Sequence, residues 1–217
     1  MEHTSQTNAM IRKITWKGSA QLSPVPPVLV TCAQKGYRAA ENADAAAGPR
    51  ANVLTVAWTG IINSQPPKTY ISVRPERFSY DIIRESGEFA LNLTTVPMVR
   101  AVDYCGVRSG REVDKFQACH LGIRPASAIA CPILEDSPLS LECRVFEVMH
   151  LGSHDMFLAD IVAVDVNEEL IGPDGRLHLE HSGLIAYSHG EYFALGKKLG
   201  SFGYTVAKRK KDTNRRR

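Results

Sequence analysis

Residues 51–64, ANVLTVAWTGIINS, carry the pattern that decides the fold. Side chains of an extended chain alternate between two faces, and here both faces are mostly apolar and β-branched. One face holds Val53, Thr55, Ala57 and Thr59, and the other holds Leu54, Val56 and Trp58. Strands covered on both sides have this composition, so the stretch is predicted to be a central strand of a sheet.

Further strands and turns flank this stretch. PVPPVLVTCA, residues 24–33, predicts a short buried strand, and residues 35–50, rich in Ala and Gly, predict a long hairpin loop after it. The other predicted strands are TYISVR (residues 69–74), EFALNLTT (residues 88–95) and two long strands between Leu139 and Leu170, joined by a turn at residues 149–156. GPDG, residues 172–175, predicts a later turn.

Two helices are predicted among these strands. Pro75 opens the first, whose apolar stripe is Phe78, Ile82 and Ile83, and Gly87 ends it. The second helix runs from Pro97 to about Cys105, and Gly106 begins the loop GVRSGREVDKF.

The order of these elements predicts the fold class. Strands dominate, helices are few, and no alternation of strand and helix is present, so a mainly β protein, a closed β-barrel with helical additions, is favoured over a doubly wound sheet. Residues 187–206, rich in Gly and Tyr, predict a C-terminal segment that wraps around the barrel. Residues 1–207 are expected to form a single domain, and residues 208–217 a basic, disordered tail.

Composition limits the classes of protein to consider. The chain has 217 residues, 44% of them hydrophobic and 23% charged, which excludes a disordered or collagen-like chain. No window approaches about 18 uninterrupted apolar residues, and the first residues lack the apolar core of a signal peptide. The five cysteines are odd in number and widely spaced, so neither a zinc site nor a disulfide framework is predicted. A reducing, cytoplasmic location fits best.

The net charge of +3 arises from one end of the chain. Lys plus Arg is 26 and Asp plus Glu is 23, but residues 208–217 hold seven basic residues and one acid. The rest of the chain therefore has 19 basic and 22 acidic residues, a net charge of −3. Such a tail can bind nucleic acid non-specifically, although a solvated terminus is the commoner case.

The sharpest chemical signal is the strand-to-helix passage SVRPERFSYD, residues 72–81. It places Ser72, Arg74, Arg77 and Ser79 around the first turn of a helix. Free backbone N–H groups at a helix start, together with guanidinium and hydroxyl donors, can hold a phosphate. The alternative is that these arginines only solvate the end of a strand.

A second donor-rich loop follows, Arg108-Ser109-Gly110-Arg111 with Lys115 after it. It can close on the same anion, or it can be an ordinary basic surface loop. The sequence has no Walker A motif, no G-x-G-x-x-G after a strand and no G-x-S-x-G elbow. Ser153, His154 and Asp155 are adjacent, so their side chains point apart and do not form a triad.

The ordered set of segments resembles the flavin reductase-like family, the flavoredoxin-type FMN-binding split barrels. The segments that carry the resemblance are PVPPVLVTCA (24–33), residues 51–95, DYCGVRSGREVDKF (103–116), GSHDMFLADIV (152–162) and EYFALGKKLGSFGYTV (191–206). They span roughly residues 22–206. The resemblance implies a split β-barrel, FMN as the cofactor, NAD(P)H as a co-substrate, and a homodimer with each flavin near the subunit interface.

The resemblance also implies a set of site residues. The residues matching the strand along the flavin ring are Asn52, Thr55, Val56, Ala57, Trp58 and Thr59. Those matching the phosphate and ribityl contacts are Ser72, Arg74, Arg77, Ser79 and Tyr80, with Asn92 on the following strand and Ser109, Gly110 and Lys115 on the companion loop. His154 matches the histidine near the flavin face in members that use NAD(P)H, which nominates it as catalytic.

The sequence departs from the family at two places. A long insert from about Arg38 to Pro49 lengthens a hairpin that is usually short, and residues 152–154 read Gly-Ser-His where many reductases have Gly-Asp-His. Three functions stay open: an NAD(P)H-dependent FMN oxidoreductase, an FMN electron carrier without its own NAD(P)H turnover, and a nucleic-acid-associated module that uses the basic tail.

Overall fold

A seven-stranded antiparallel sheet forms the centre of the structure, a computed structural model that describes residues 11–38 and 48–206. Its strands, in sheet order, are β2 (Ala51–Val56), β1 (Val28–Ala33), β5 (Glu88–Asn92), β8 (Leu139–His150), β9 (Asp155–Val166), β4 (Pro67–Val73) and β3 (Thr59–Ser64). Two small two-stranded sheets are formed by β6 (Ile123–Arg124) with β7 (Ile133–Leu134), and by β10 (Ile185–Ser188) with β11 (Glu191–Ala194). This mainly β architecture with few helices confirms the predicted fold class.

The prediction that residues 51–64 form one central strand is wrong. They form β2 and β3, which lie at opposite edges of the sheet, and the chain passes from one edge to the other at Ala57 and Trp58. The sheet therefore has to curl until its edges meet, as in a barrel. The Ser72 N–H donates to the Trp58 carbonyl at 2.9 Å, so pairing with β4 continues up to the crossing.

β2 is apolar on both faces for a reason other than a central place in the sheet. Leu54 and Val56 pack into the cluster inside the barrel, whereas Val53 packs outside it, against a cluster that includes Val102. β3 has no such cover, and Ile61 is 65% exposed. A two-sided apolar pattern thus reflects a helix over one face of an edge strand, rather than a place in the middle of the sheet.

Three helices complete the fold. The first, α1 (Phe78–Ser86), contributes Ile82 and Ile83 to the barrel cluster and ends at Gly87 with φ 72°, as predicted. The second, α2 (Val99–Val107), follows a 3₁₀ turn and includes Gly106, which the sequence placed in a loop. The third, α3 (Lys115–Ala118), lies in the segment predicted as loop, where the Asp114 side chain accepts a hydrogen bond from the Gln117 N–H.

The C-terminal part begins with a hairpin. β10 and β11 pair through a turn at His189 and Gly190, both with positive φ, and the backbone of Tyr187 pairs with Val25. Residues 195–206 continue as an exposed segment. The predicted basic tail and most of the insert lie outside the described residues, so the predicted domain bounds stay a prediction.

The described part of the chain holds no group of His, Cys, Asp and Glu suited to a metal ion, and the five cysteines are free thiols. None of the described helices is long and apolar enough to cross a lipid bilayer.

A buried amide ties the sheet to the segment before β8. The fully buried Asn92 side chain donates from Nδ2 to the Leu29 carbonyl at 2.9 Å, and its Oδ1 accepts from the Leu134 N–H at 2.9 Å and from Ser140 Oγ at 2.7 Å. Three separate parts of the chain therefore depend on one side chain for polar partners that water does not reach.

We expect Asn92→Ala to lower the free energy of unfolding by about 2–4 kcal/mol, because it leaves buried donors and acceptors without partners. Urea denaturation measures the change. The control is Asn63→Ala, which removes an exposed amide with one hydrogen bond, to the Pro66 carbonyl at 2.7 Å. Equal losses in the two variants would contradict the role assigned to Asn92.

Candidate functional site

Two neighbouring cavities open beside the start of α1. The arginine cavity, about 380 Å³, lies between the segment before α1 and the loop after α2. The tyrosine cavity, about 360 Å³, lies between the end of β2, the end of β4, α2 and the β10–β11 hairpin. Leu54, Arg74 and Arg77 line both, so the two cavities form one continuous site.

The arginine cavity is strongly cationic. Its basic lining side chains are Arg74, Arg77, Arg108, Arg111 and Lys115, and Glu76 is its one acidic lining residue. Five positive charges around one carboxylate produce a potential that favours an anion over water or a neutral ligand.

Lys115 is the most unusual of these cations. Its side chain is only 4% exposed, and Nζ donates to the carbonyls of Val53 at 2.8 Å and Cys105 at 3.0 Å. Across residues 11–38 and 48–206, no carboxylate pairs with it. Burial lowers its pKa below the ordinary 10.5, and the nearby Arg77 charge lowers it further. A buried ammonium without a counter-charge is costly, and an anion in the cavity would offset that cost.

Two of the four arginines are held by backbone carbonyls, which fixes their positions. Arg77 Nη1 donates to the Gly106 carbonyl at 3.0 Å, and Arg111 Nη1 donates to the Glu76 carbonyl at 3.0 Å. The Arg111 guanidinium also lies over the Phe78 ring, 5.5 Å from its centroid. Each guanidinium has five N–H donors, so donors remain for a ligand.

The start of α1 adds backbone donors to this cavity. Arg77 is the N-cap residue, and no side chain hydrogen-bonds to the free N–H groups of the first turn. The Ser79 hydroxyl is positioned by Asn52, whose Nδ2 donates to Ser79 Oγ at 2.6 Å. An anion at the helix start therefore meets both backbone and side-chain donors.

Gly110 allows the second loop to approach this helix start. A Cβ atom at Gly110 would lie 2.4 Å from Asn52 Oδ1 and 2.6 Å from a ring carbon of Phe78. Any other residue would force the Asn52 and Phe78 side chains or the loop itself to shift. Ser109 lines the cavity next to it, and its Oγ accepts from the Arg111 N–H at 3.2 Å.

The tyrosine cavity has less strongly charged walls. The end of β2 and the crossing after it supply one side, formed by Thr55, Val56, Ala57 and Trp58. Thr55 Oγ1 donates to the Val102 carbonyl at 2.5 Å, which ties β2 to α2. Ser72 lies beside this wall, and Asp103, Tyr187 and Tyr192 line the cavity from α2 and the hairpin.

His154 lies against Trp58 in the tyrosine cavity. Their ring centroids are 4.6 Å apart, and Ser153 Oγ lies 3.0 Å from His154 Nδ1. Burial lowers the pKa of the imidazole, and the Arg74 charge lowers it further, so His154 is neutral at neutral pH.

Thirteen of the sixteen predicted site residues line one or both cavities. In the tyrosine cavity these are Thr55, Val56, Ala57, Trp58, Ser72 and His154; in the arginine cavity, Asn52, Ser79, Ser109, Gly110 and Lys115; in both, Arg74 and Arg77. The structure thus brings together residues from four separate segments, 52–58, 72–79, 109–115 and residue 154.

Three predicted side chains lie outside both cavities. Thr59 Oγ1 donates to the Tyr70 carbonyl at 2.5 Å, which fixes β3 on β4. The Tyr80 hydroxyl donates to Asp155 Oδ2 at 2.5 Å inside the core. Asn92 forms the buried hydrogen bonds described above. Their polar atoms are used in holding the fold together.

Sequence reasoning missed the second wall of the tyrosine cavity. Tyr187 and Tyr192 face each other across the hairpin, and Asp103 comes from α2, more than eighty residues earlier. The turn at residues 188–191, Ser-His-Gly-Glu between tyrosines, was the available signal for the hairpin. Only the folded chain brings Asp103 to it.

Comparison with known proteins gives one family. The sequence profile of the Flavin reductase like domain matches residues 18–196. Among solved structures, the flavoredoxin of Desulfovibrio vulgaris (Miyazaki F) is 26% identical, with a TM-score of 0.77 over 90% of this chain and 100% of that chain. A putative flavin reductase with a split barrel domain from Shewanella frigidimarina, 20% identical, shares the fold with a TM-score of 0.69 over 83% of this chain and 86% of that one.

Two further similarities concern ligands and length. An FMN-binding protein from Thermus thermophilus with bound 1-cyclohex-2-enone is 25% identical, with a TM-score of 0.70 over 88% of this chain and 99% of that one. The NADPH-flavin oxidoreductase of Streptomyces viridifaciens is 25% identical over 65% of this chain and 74% of its own length. An uncharacterized Aeropyrum pernix protein is 28% identical over 70% of this chain, which spans only 53% of that protein.

The lowered pKa of Lys115 predicts a pH dependence of stability. Below the ordinary lysine value of 10.5, the unfolded chain keeps the Lys115 proton more firmly than the folded chain does. The free energy of unfolding of the ligand-free protein should therefore rise, relative to that of Lys115→Met, as the pH approaches the ordinary lysine value of 10.5 from below.

Urea denaturation of both proteins as the pH is raised toward this value, at constant ionic strength, measures the difference. Lys197→Met, which removes an exposed ammonium, is the control and should follow the wild-type curve. A difference between wild type and Lys115→Met that does not change with pH would contradict the prediction.

Proposed function

The chain belongs to the Flavin reductase like domain family, and on this premise we propose that it is an FMN-binding oxidoreductase. In this proposal NAD(P)H reduces the bound flavin, and the electrons pass on to free flavin, a partner protein or a small acceptor. The observation that carries it is the cationic arginine cavity with its buried Lys115, which adjoins a second cavity lined by Val56, Ala57 and Trp58.

The arginine cavity fits the phosphate of FMN. A phosphate monoester carries up to two negative charges and three acceptor oxygens, which matches the surplus of cations and the free N–H groups of α1. Arg74, Arg77, Ser109 and Lys115 would hold it. The buried ammonium of Lys115 would then gain the counter-charge that it lacks among the described residues.

The tyrosine cavity fits a flat ring next to that phosphate. Val56, Ala57 and Trp58 supply an apolar wall at the crossing from β2 to β3, and Ser72 a polar group beside it. Arg74 and Arg77 line both cavities, so one ligand can extend from the cationic end to the flat end. Flavin sites combine such a slot with a few polar groups at the ring edge.

When bound, FMN supplies a two-electron carrier whose ring can accept a hydride, so no side chain has to act as acid or base for that transfer. The task of the protein is then to orient the rings. This explains why the cavities contain no catalytic dyad.

His154 is the residue that we propose to contact the nicotinamide. Its imidazole has a lowered pKa, lies beside the Trp58 ring with the two planes inclined by 39°, and lines the tyrosine cavity. Ser153 stands where many reductases have aspartate, and its hydroxyl lies within hydrogen-bonding distance of His154 Nδ1 at 3.0 Å. The serine can therefore orient the imidazole as a carboxylate would, although it adds no negative charge.

A second candidate is an FMN electron carrier that another protein reduces. The 26% identity to a flavoredoxin and the missing aspartate at residue 153 favour it. Anaerobic mixing with NADH or NADPH distinguishes the two: loss of the flavin absorbance supports the oxidoreductase, and a protein that stays oxidised supports the carrier.

The remaining partners are also proposals. A small acceptor is supported by the Thermus protein, which holds 1-cyclohex-2-enone. A homodimer is supported by exposed apolar side chains on edge strand β3 and the β8–β9 hairpin, among them Ile61, Ile62, Met149 and Leu151. The cytoplasmic location stays a prediction from the cysteines, and nucleic-acid binding by the basic tail, disfavoured from sequence, falls outside the described residues.

Replacing Arg77 by Ala should lower FMN affinity by about 1.5–3 kcal/mol, the range for a hydrogen bond to a charged group. Arg74→Ala should act in the same direction, and quenching of flavin fluorescence on titration measures both. Riboflavin, which has no phosphate, should lose much less affinity. The control is Arg84→Ala on the exposed side of α1, where the guanidinium pairs with Asp81 at 2.9 Å. Unchanged FMN affinity in both cavity variants would mean that the phosphate binds elsewhere.

Replacing His154 by Ala should slow flavin reduction by NAD(P)H by about 10- to 100-fold, because the nicotinamide would lose a contact that positions it. Anaerobic stopped-flow absorbance measures the rate. His181→Ala, at an exposed histidine outside both cavities, serves as the control. If His154→Ala reduced at the wild-type rate while the wild type itself reacted, the role assigned to His154 would be wrong.

A further inference from the structure

One wall of the tyrosine cavity has no part in the proposed phosphate and ring contacts. It consists of Asp103 on α2 and of Tyr187 and Tyr192 on the β10–β11 hairpin. The two tyrosines are cross-strand partners, with ring centroids 5.3 Å apart and planes inclined by 54°. The Tyr192 hydroxyl donates to Asp103 Oδ1 at 3.4 Å, so the carboxylate is linked to the aromatic pair.

Asp103 is the one acidic residue that lines this cavity. Its negative charge acts on the wall itself: burial raises the pKa of Tyr192 to about 12, and the Asp103 charge is the next largest cause. Arg74 and Arg77 lie at the junction with the arginine cavity, whereas Asp103 and the tyrosines line the tyrosine cavity alone. The site is therefore polarised, with cations at one end and a carboxylate at the other.

Aromatic faces next to a carboxylate favour a flat organic cation. A cation over the face of a tyrosine ring is attracted by the ring's quadrupole, and a nearby carboxylate adds a direct charge interaction. The arginines at the junction repel the same cation, which favours the tyrosine wall over the junction for the positively charged part of a ligand.

We propose that Asp103, Tyr187 and Tyr192 form the binding wall for the nicotinamide ring and prefer its positively charged, oxidised form. The inference rests on the proposed function, in which NAD(P)H is the hydride donor. When a dihydronicotinamide ring gives up a hydride, one hydrogen with two electrons, to the flavin, the ring is oxidised to a pyridinium cation. The carboxylate therefore binds the ring more tightly as the reaction proceeds than at its start.

This makes Asp103 a specificity-determining residue. Interactions that strengthen as charge develops lower the barrier, whereas equal binding of both forms does not. A hydride donor that acquires positive charge is favoured at this wall, and an anionic aromatic ring is disfavoured by Asp103.

The test compares two ligands that differ mainly in charge. 1-Methylnicotinamide is a pyridinium cation, and nicotinamide is its neutral counterpart with the same carboxamide. Ligand-detected NMR titration of the full chain, as purified and with saturating FMN, measures both affinities. We expect the wild type to prefer the cation and Asp103→Asn to bind it about fivefold more weakly, near the upper end for an exposed ion pair. The affinity for nicotinamide should be the same in both proteins.

Two further variants distinguish direct contact with the ligand from a general effect of nearby negative charge. Glu191→Gln removes a neighbouring exposed carboxylate that does not line the cavity, and it should keep the wild-type preference. Tyr187→Leu removes one aromatic face and should weaken binding of the cation more than that of nicotinamide. Equal wild-type affinity for the two ligands, or an equal loss in Glu191→Gln and Asp103→Asn, would overturn the proposal.

The outcome is independent of the tests of the proposed function. Loss of the cation preference in Asp103→Asn supports the wall even if the wild type fails to be reduced by NAD(P)H. Conversely, rapid reduction of the wild type with no effect of Asp103→Asn on either ligand overturns the wall and leaves the oxidoreductase in place. Thermal unfolding of each variant checks that the fold is intact, and Asp103 is exposed on α2, so its substitution leaves the core unchanged.

Discussion

Two hydrogen bonds from a buried ammonium hold together the elements on which the site depends. Lys115 begins α3, and its Nζ donates to a carbonyl of β2 and to one of α2. These bonds place the loop at residues 108–111 opposite the start of α1, where Gly110 fits against Asn52. They also leave a positive charge that the described residues do not neutralise. An anion bound in the arginine cavity would offset the cost of burying this charge.

The curl of the sheet supplies the second half of the site. The chain crosses between the sheet edges at Ala57 and Trp58, and residues 55–58 form one wall of the tyrosine cavity there. Thr55 anchors this wall to α2, and Asn92 holds the strands behind it. Three predicted residues lie outside the cavities but still support the site. The hydrogen bonds of Thr59, Tyr80 and Asn92 fix the elements that carry the lining side chains.

Local patterns predicted most elements but not their arrangement. The end of the first helix could be predicted because Gly87 acts through the backbone alone, whereas its start was placed too early: the helix begins at Phe78, three residues after Pro75. The edge positions of β2 and β3 could not be predicted. The alternation of apolar residues shows that a face of a strand is covered, but not which element covers it. α3 was missed because it has only four residues, too few for a periodic pattern. The cationic half of the site was predictable from clustered residues, whereas the Asp103–Tyr192 contact depends on pairing across 89 residues.

Trp58 can serve as an intrinsic fluorescence probe of the tyrosine cavity. The chain has two tryptophans, and the other, Trp16, is 72% exposed outside both cavities. With Trp16 replaced by Phe, all indole emission would come from the wall of the tyrosine cavity. Because an oxidised flavin absorbs at the wavelengths where indole emits, energy transfer would quench that emission in proportion to occupancy. The wall that we propose for the flavin ring would then also report its binding and release.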